Sequence, residues 1–242
     1  MKPKLSKIQN ICLILEIILF TFLFFVIINK YYINFKQKDF KEIKTNDDII
    51  RHLDILNFDV NKNNINLVKK IFKKGIVFNK LSDEEILYLT LATYDILSDD
   101  CKINVSDLNN KINTLFKLDH KINIDEVIDY KIIANNYNIT IKDSNLYISK
   151  SKINDDCNLT IKKKVVNTME SKDYVVVNFY IAFGYRDNEN NLINYYKDLD
   201  KNEYIESFAL IDKDKLSWEK YKIYKLKLKK YNNKYQLIDL IS

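Results

Sequence analysis

The sequence predicts an α+β protein with one N-terminal transmembrane helix, a helical subdomain and then an antiparallel β-sheet. Three observations lead to this prediction. A long apolar run lies near the start of the chain, a helical periodicity of apolar residues follows it, and a strand-like alternation begins at about Tyr130. Strands that follow strands favour antiparallel pairing, which is typical of folds that keep their helices and sheet apart.

The composition is that of a folded protein. The chain has 242 residues, of which 47% are hydrophobic and 30% are charged, so it contains enough apolar residues for a packed core. The abundance of Lys, Asn and Ile is typical of an AT-rich genome and is not taken as a functional signal. The net charge of +6 is modest and lysine is interleaved with acidic residues, so we expect no nucleic-acid partner.

The apolar segment 8–28 is predicted to be a transmembrane helix. It would be about 31 Å long, which matches a hydrocarbon core of about 30 Å. The apolar residues outweigh the insertion cost of Glu16, about 2.5–3.5 kcal/mol. No Ala, Gly or Ser lies between Lys7 and Lys74, so signal-peptidase cleavage after the segment is not expected. We interpret it as an uncleaved anchor, and the alternative is a buried helix of a soluble core.

Glu16 lies near the middle of this segment. A carboxylate at that depth indicates either a contact with a basic or polar group of a partner helix, or a protonated side chain tolerated in a very apolar helix. Lysines flank both ends of the segment, so the positive-inside rule does not decide the orientation. A short tail at 1–7 before a long domain is the common signal-anchor layout. We therefore expect the domain outside the cytoplasm, and the alternative is a cytoplasmic-facing tethered adaptor.

A polar stalk is predicted at 29–46 and a helical region at 47–120. Within it, "LSDEEI" contains a capping box in which Ser82 and Glu85 bond each other's backbone amides, and the helix is predicted to run through Leu97. Three further helices are predicted from apolar faces: Ile49, Ile50, Leu53 and Leu56; Ile65, Val68, Ile71 and Phe72, with Gly75 as the C-cap; and Leu108, Ile112, Leu115 and Phe116, starting at Ser106-Asp107.

Residues 121–242 are predicted to be mainly antiparallel strands, packed with the helices as one domain. The candidate strands are "NITI", "NLYIS", "NLTIKKKVV", "DYVVVNFYIAFGYRD" and "EYIESFALI". The C-terminal segment "YKIYKLKLKKYNNKYQLIDLI" predicts a hairpin with a two-residue turn at Asn232-Asn233. In its first strand, Leu226 and Leu228 are predicted to point inward, and Lys225, Lys227 and Lys229 to point toward solvent. We interpret the row of lysines as a solvent face or edge that discourages strand pairing rather than as a ligand site.

Cys101 and Cys157 each follow two aspartates. Neighbouring carboxylates disfavour the thiolate, so neither cysteine is predicted to be a nucleophile. In an exported domain the two either form a disulfide or remain unrelated thiols. The disulfide would enclose 55 residues and would stabilise the fold by about 3 to 5 kcal/mol in chain-entropy estimates. Cys12 lies in the predicted span and cannot reach either.

No catalytic or metal-binding motif is found in the sequence. The only two histidines, His52 and His120, lie far apart without nearby cysteines, which does not fit a structural zinc site. There is no P-loop, no dinucleotide-binding fingerprint and no Gly-x-Ser-x-Gly elbow. We therefore expect no metal, no cofactor and no enzymatic activity. An enzyme would instead need carboxylates and tyrosine hydroxyls that converge in one pocket.

The segments "NNKINTLFKLDHKI" and "YKLKLKKYNNKYQLIDL", together with the layout of the chain, resemble single-pass envelope proteins of AT-rich Gram-positive bacteria that have no assigned activity. The layout alone is also similar to the VirB8-like scaffold subunits of conjugation and secretion machines. That second resemblance implies an outer domain like nuclear transport factor 2.

These observations favour a membrane-anchored extracytoplasmic module that binds an unknown ligand or a protein partner. A structural subunit of an envelope secretion or conjugation complex is the first alternative, and it predicts that Glu16 contacts a partner. The cytoplasmic-facing adaptor is the second. Membrane attachment is common to all three.

Overall fold

The computed structural model describes Thr21 and residues 40–57, 60–94, 96, 101–118, 121–151, 159–209, 215–232 and 234–241. Apart from Thr21, the predicted span 8–28 lies outside these residues, as does the predicted stalk up to residue 39. Among the residues that are described, no helix is long and apolar enough to cross a bilayer.

The described residues form an α+β architecture with a helical part and antiparallel sheets. The α-helices are α1 Asp47–Ile50, α2 Ile65–Lys74, α3 Asp83–Leu91, α4 Val105–Leu115 and α5 Lys131–Asn136. Short 3-10 helices span Arg51–Leu56, Phe78–Lys80, Ile124–Asp129 and Trp218–Lys220. The strands are β1 Lys41–Ile43, β2 Ile76–Val77, β3 Cys101–Asn104, β4 Tyr137–Lys142, β5 Asn145–Lys150, β6 Leu159–Glu170, β7 Tyr174–Asp187, β8 Leu192–Tyr196, β9 Tyr204–Ala209, β10 Lys222–Tyr231 and β11 Lys234–Ile241.

Two sheets organise the strands. The larger sheet has eight strands and runs in the order β1-β6-β7-β10-β11-β2, with β8 paired to β7 and β9 paired to β8. The long strand β7 pairs with β10 along its first half and with β8 along its second half. The smaller sheet has the order β3-β5-β4. Every strand pair whose register is given is antiparallel, as the sequence predicts.

One face of the large sheet forms the main core with the helices. Alternate residues of β7 and β10 on this face are fully buried: Val175, Val177, Phe179, Ile181, Phe183, Leu226 and Leu228. From α2, the ring of Phe72 packs edge-on against Phe183 and Tyr224, with ring centroids 5.6 and 5.9 Å apart. The period of two along each strand therefore sends every other side chain to the opposite face, which is outside this core.

The two glycines occupy positions where a side chain would clash. Gly75 ends α2 with φ of 69°, and a Cβ there would lie 2.6 Å from the carbonyl oxygen of Leu240. This confirms the predicted C-cap. A Cβ on Gly184 would lie 2.6 Å from the Tyr195 ring and 2.8 Å from Ile193. Glycine at 184 thus lets two β8 side chains cross directly over β7.

The helix boundaries confirm some predictions and correct others. The capping box of Ser82 and Glu85 is present. However, α3 ends at Leu91 rather than running through Leu97, and the Thr93 hydroxyl donates to the Thr90 carbonyl just beyond the end. The cap of α4 is Asn104, whose side chain accepts from two backbone amides, and not Ser106. Asparagine is a strong N-cap residue, and Asn104 is also the last residue of strand β3.

The first predicted helix is also different. It is α-helical only at Asp47–Ile50 and tightens to a 3-10 helix at Arg51–Leu56. Because the period changes within the segment, Ile55 is fully buried while Ile50 is 41% exposed. Ile50 was expected on the buried face, so that prediction is wrong.

The long predicted strands and the final hairpin are confirmed as β4 to β7 and β9 to β11. The short strands β2 and β3 lie in the region predicted to be helical, and α5 lies in the region predicted to be mainly strands. Strand β1 lies within the predicted stalk. Strands of two to four residues are too short to show an alternation in the sequence. They form only through pairing with a neighbouring strand, which the local sequence does not indicate.

Candidate ligand-binding cleft

An open cleft of about 560 Å³ lies between the first helical segment, the end of α3, helix α4 and the start of β11. This volume is typical of small-molecule sites. Its polar lining combines cations, carboxylates and two aromatic or imidazole rings: Asp48, Arg51, His52, Asp54, Lys111, Lys234 and Tyr235.

The buried ring of His52 joins the helical segment to β11 at this cleft. Its Nδ1 lies 2.7 Å from the carbonyl oxygen of Asp48, and its Nε2 lies 2.9 Å from the carbonyl oxygen of Tyr235. Neutral imidazole has one N–H, so both contacts are hydrogen bonds only in the doubly protonated ring. Since both nitrogens face backbone oxygens, His52 acts as a structural link rather than a base available to a ligand.

The side chain of Lys111 is a half-buried cation in the cleft wall. Its Nζ lies 3.8 Å from the centre of the Tyr94 ring and 3.4 Å from the carbonyl oxygen of Thr93. Burial lowers the pKa of Lys111; Asp54 opposes this shift and Arg51 adds to it. An ammonium group has three N–H donors. Among the described residues, the Lys111 ammonium makes one long bond to a carbonyl, which leaves it with donors to offer a ligand.

Tyr94 forms the apolar support for that ammonium. Its ring stabilises the cation through the negative charge on the aromatic face. Burial raises the pKa of the Tyr94 hydroxyl, and the nearby groups Asp107 and Cys101 raise it further. Tyr94 is therefore neutral at ordinary pH and contributes a ring, not a charge.

Asp54 connects the cleft to a second lysine behind it. Lys163 projects from β6 and donates to the carbonyl oxygen of Leu53 at 2.8 Å and to the side chain of Asn57. Burial lowers the pKa of Lys163 to about 8, and Asp54 opposes the shift. The carboxylate of Asp54 also accepts from the Asn57 amide at 3.0 Å. Asp54 is thus already engaged on the protein side.

The balance of charge in the cleft is positive. Arg51, Lys111 and Lys234 face two carboxylates, Asp48 and Asp54. The ion pair between Arg51 and Asp48 has an N–O distance of 3.7 Å and both side chains are about three-quarters exposed, so solvent screens it strongly. The arrangement suits a small ligand with an anionic group that reaches Lys111.

The candidate site residues of the sequence analysis, Cys101, Cys157 and Glu16, are not among the described residues that line this cleft. Cys101 is the first residue of β3, opposite Ile148, and its half-buried thiol is not bonded to any residue that the structure describes. Cys157 and Glu16 lie outside the described residues, so the disulfide and the intramembrane contact stay predictions. Within the described ranges, no group of three or more His, Cys, Asp or Glu side chains is arranged to hold a metal ion.

The sequence analysis named His52 and Leu115 for other reasons and did not recognise the cleft, because its residues come from four separate segments of the chain. Only Lys111 carried a local signal. It lies on α4 next to Ile112, which is 1% exposed, and between Leu108 and Leu115 on the predicted apolar face. A lysine at the border of an apolar helix face indicates a half-buried ammonium, but not what surrounds it.

Comparisons with known proteins do not assign the chain to a family. No protein-family model matches it, and neither the curated proteins nor the solved structures contain a significant match. The resemblance to envelope proteins therefore stays a hypothesis.

Proposed function

We propose that the protein is a membrane-anchored extracytoplasmic binding module whose cleft holds a small ligand with a carboxylate or phosphate group. The apolar segment 8–28 supports the anchor. The observation that carries the proposed ligand class is Lys111, a half-buried ammonium in the wall of a cleft large enough for a small molecule.

A bound anion would compensate the lost hydration of this ammonium. Burial disfavours the charged form of a lysine, and an opposite charge within hydrogen-bond distance restores it. Hydrogen bonds between charged groups contribute about 1.5–3 kcal/mol, more than neutral ones. Arg51 and Lys234 line the same cleft and add donors for a second oxygen of the ligand.

Inorganic phosphate is the probe for the test. Full-length protein in detergent is heated with phosphate or with chloride at matched ionic strength, and the melting temperature is measured. We expect phosphate to stabilise the wild type, and K111M to weaken phosphate binding by roughly tenfold or more, because one charge-assisted hydrogen bond is lost.

The matched control is K102M, which removes a lysine of β3 whose Nζ lies 5.9 Å from the Tyr147 ring centre and which does not line the cleft. Its response to phosphate should equal that of the wild type. An absence of any phosphate-dependent shift in the wild type, or equal shifts in K111M and K102M, would contradict the proposed site.

A further inference from the structure

The face of β6, β7 and β10 that points away from the main core is called the outer face. Its residues follow from the register, because they alternate with the buried ones: Lys164 lies opposite Tyr180, and Lys225, Lys227 and Lys229 lie opposite Asn178, Val176 and Tyr174. Lys162 extends the row on β6, opposite Ala182. Lys164 and Lys225 are exposed and the other three lysines are half-buried.

The outer face carries a concentrated positive charge. All residues of β6, β7 and β10 are described, and no acidic residue of these three strands lies on this face. Among the strand pairs whose register is given, the carboxylate opposite one of these lysines is Asp239 of β11, opposite Lys227. Glu206 of β9 lies farther along the same face, opposite Tyr195, and its carboxylate accepts from the Tyr221 hydroxyl at 2.8 Å. The five lysines, on the two strands that flank β7, therefore outnumber the carboxylates that the given registers place on this face, although charges are interleaved along the sequence.

An aromatic cluster adjoins the lysines at one end of the outer face. Tyr180 stacks on Trp218 with ring centroids 6.5 Å apart, and Trp218 contacts Tyr221 at 5.9 Å. Tyr180 and Trp218 pack against a second, smaller core that includes Ala182, Tyr195 and the buried Tyr221. Trp218 is the only tryptophan of the chain, and both it and Tyr180 remain half-buried rather than enclosed.

Lysines beside half-exposed Trp and Tyr rings form the composition that favours a bilayer surface. Trp and Tyr are enriched at the membrane–water interface, and each lysine near an anionic membrane contributes about 1 kcal/mol. A predicted anchor also places one anionic surface permanently within reach: residues 29–40 would extend at most about 40 Å. Tethering of this kind raises the effective concentration of headgroups far above that of any soluble polyanion.

We propose that the outer face docks onto the anionic lipid headgroups of the bilayer in which the protein is anchored. This inference rests on the anchor of the proposed function but not on its cleft. Docking through β6, β7 and β10 leaves the cleft accessible, because the cleft is lined by the helical segments and the start of β11.

The test uses Trp218 as an intrinsic probe. Full-length protein is reconstituted into phosphatidylcholine vesicles or into vesicles that also contain phosphatidylglycerol, each with brominated acyl chains that quench tryptophan at short range. We expect stronger quenching in the anionic vesicles, and a return to the level of the neutral vesicles when salt is raised.

Two variants that lose the same number of positive charges distinguish the effect of the outer face on docking from the effect of net charge. K225Q/K227Q/K229Q removes lysines of the outer face, and the docking equilibrium should fall roughly fivefold for each one. K80Q/K102Q/K131Q removes three exposed lysines outside the outer face and should quench like the wild type. Matching melting temperatures of the two variants establish that both are folded.

Each outcome decides the inference. Equal quenching in neutral and anionic vesicles, or equal quenching in the two variants, overturns docking while flotation with the vesicles still supports the anchor. Failure of the wild type to float with either vesicle overturns the anchor and the docking together. Oligonucleotide binding that depends on the three outer-face lysines, without lipid quenching, would assign this face to nucleic acid instead.

Discussion

Lys163 shows how one side chain links the large sheet to the helical segment above it. It sits in the run Lys162-Lys163-Lys164, in which the two flanking lysines lie on the outer face and the middle one projects to the core side, opposite Ile181. Its ammonium binds the carbonyl of Leu53. Three consecutive lysines thus have two different environments, because successive side chains of a strand point to opposite faces of the sheet.

The lowered pKa of Lys163 predicts a pH dependence of stability. Between about pH 8 and the ordinary lysine value of 10.5, the unfolded chain holds a proton that the folded protein has released. The free energy of unfolding therefore rises with pH across this window, by about 3 kcal/mol at 1.36 kcal/mol per pKa unit.

The measurement is urea unfolding of the full-length protein in detergent at several values from pH 8 to 10.5. K163M should lose this rise relative to the wild type, and K164M, which removes the exposed neighbour on the opposite face, should keep it. Other groups that titrate in the window cancel in the comparison. A K163M curve with the same slope as K164M would show that Lys163 is not desolvated.

At the scale of an element, helix α3 is defined by its first turn. The Ser82 hydroxyl accepts from the Glu85 amide at 3.3 Å, and the Glu85 carboxylate accepts from the Ser82 amide at 2.9 Å. Lys70 of α2 donates to the same carboxylate at 2.7 Å. The cap thus also ties α3 to α2, which the local sequence does not indicate.

Removal of this cap should weaken the fold measurably. S82A is expected to lower the free energy of unfolding by about 1 kcal/mol, since an amide at the helix start loses its partner. S106A is the matched control, because Ser106 also lies in the first turn of a helix but Asn104 supplies that cap. Denaturant unfolding of both variants checks the difference; an equal loss in both would exclude a specific role for the cap.

For the whole molecule, the orientation across the membrane is the largest open prediction, and the cysteines report it. Intact cells are treated with a membrane-impermeant maleimide, with and without mild reduction. We expect Cys101 and Cys157 to be labelled in intact cells. If they form a disulfide, labelling requires prior reduction; if they are free thiols, they are labelled without reduction. C101S/C157S, which keeps only Cys12 in the predicted span, should not react.

Labelling that appears only after lysis would place the domain in the cytoplasm and favour the tethered adaptor. The ligand cleft and the outer face are properties of the folded domain, so their tests do not depend on this result. The disulfide, if formed, would join β3 of the smaller sheet to the segment that precedes β6 of the larger sheet in the sequence.

Local patterns determined much of this protein from its sequence alone. The capping box, the Gly75 C-cap, the apolar faces of α2 and α4, and the inward leucines of the final hairpin all depend on residues a few positions apart. These features arise from interactions within one helical turn or one strand pair, so they can be predicted from the local sequence. The predicted apolar anchor has the same local character.

Tertiary structure alone decided the cleft, the short strands and the inward position of Lys163. Asp54 and Lys111 are more than fifty positions apart along the chain, and β3 exists only because β5 lies beside it. The burial that shifts the pKa of Lys111, and the register that gathers five lysines on one face, arise when distant segments pack. Desolvation and the concentration of charge depend on distances in space, which cannot be predicted from the separation of residues along the sequence.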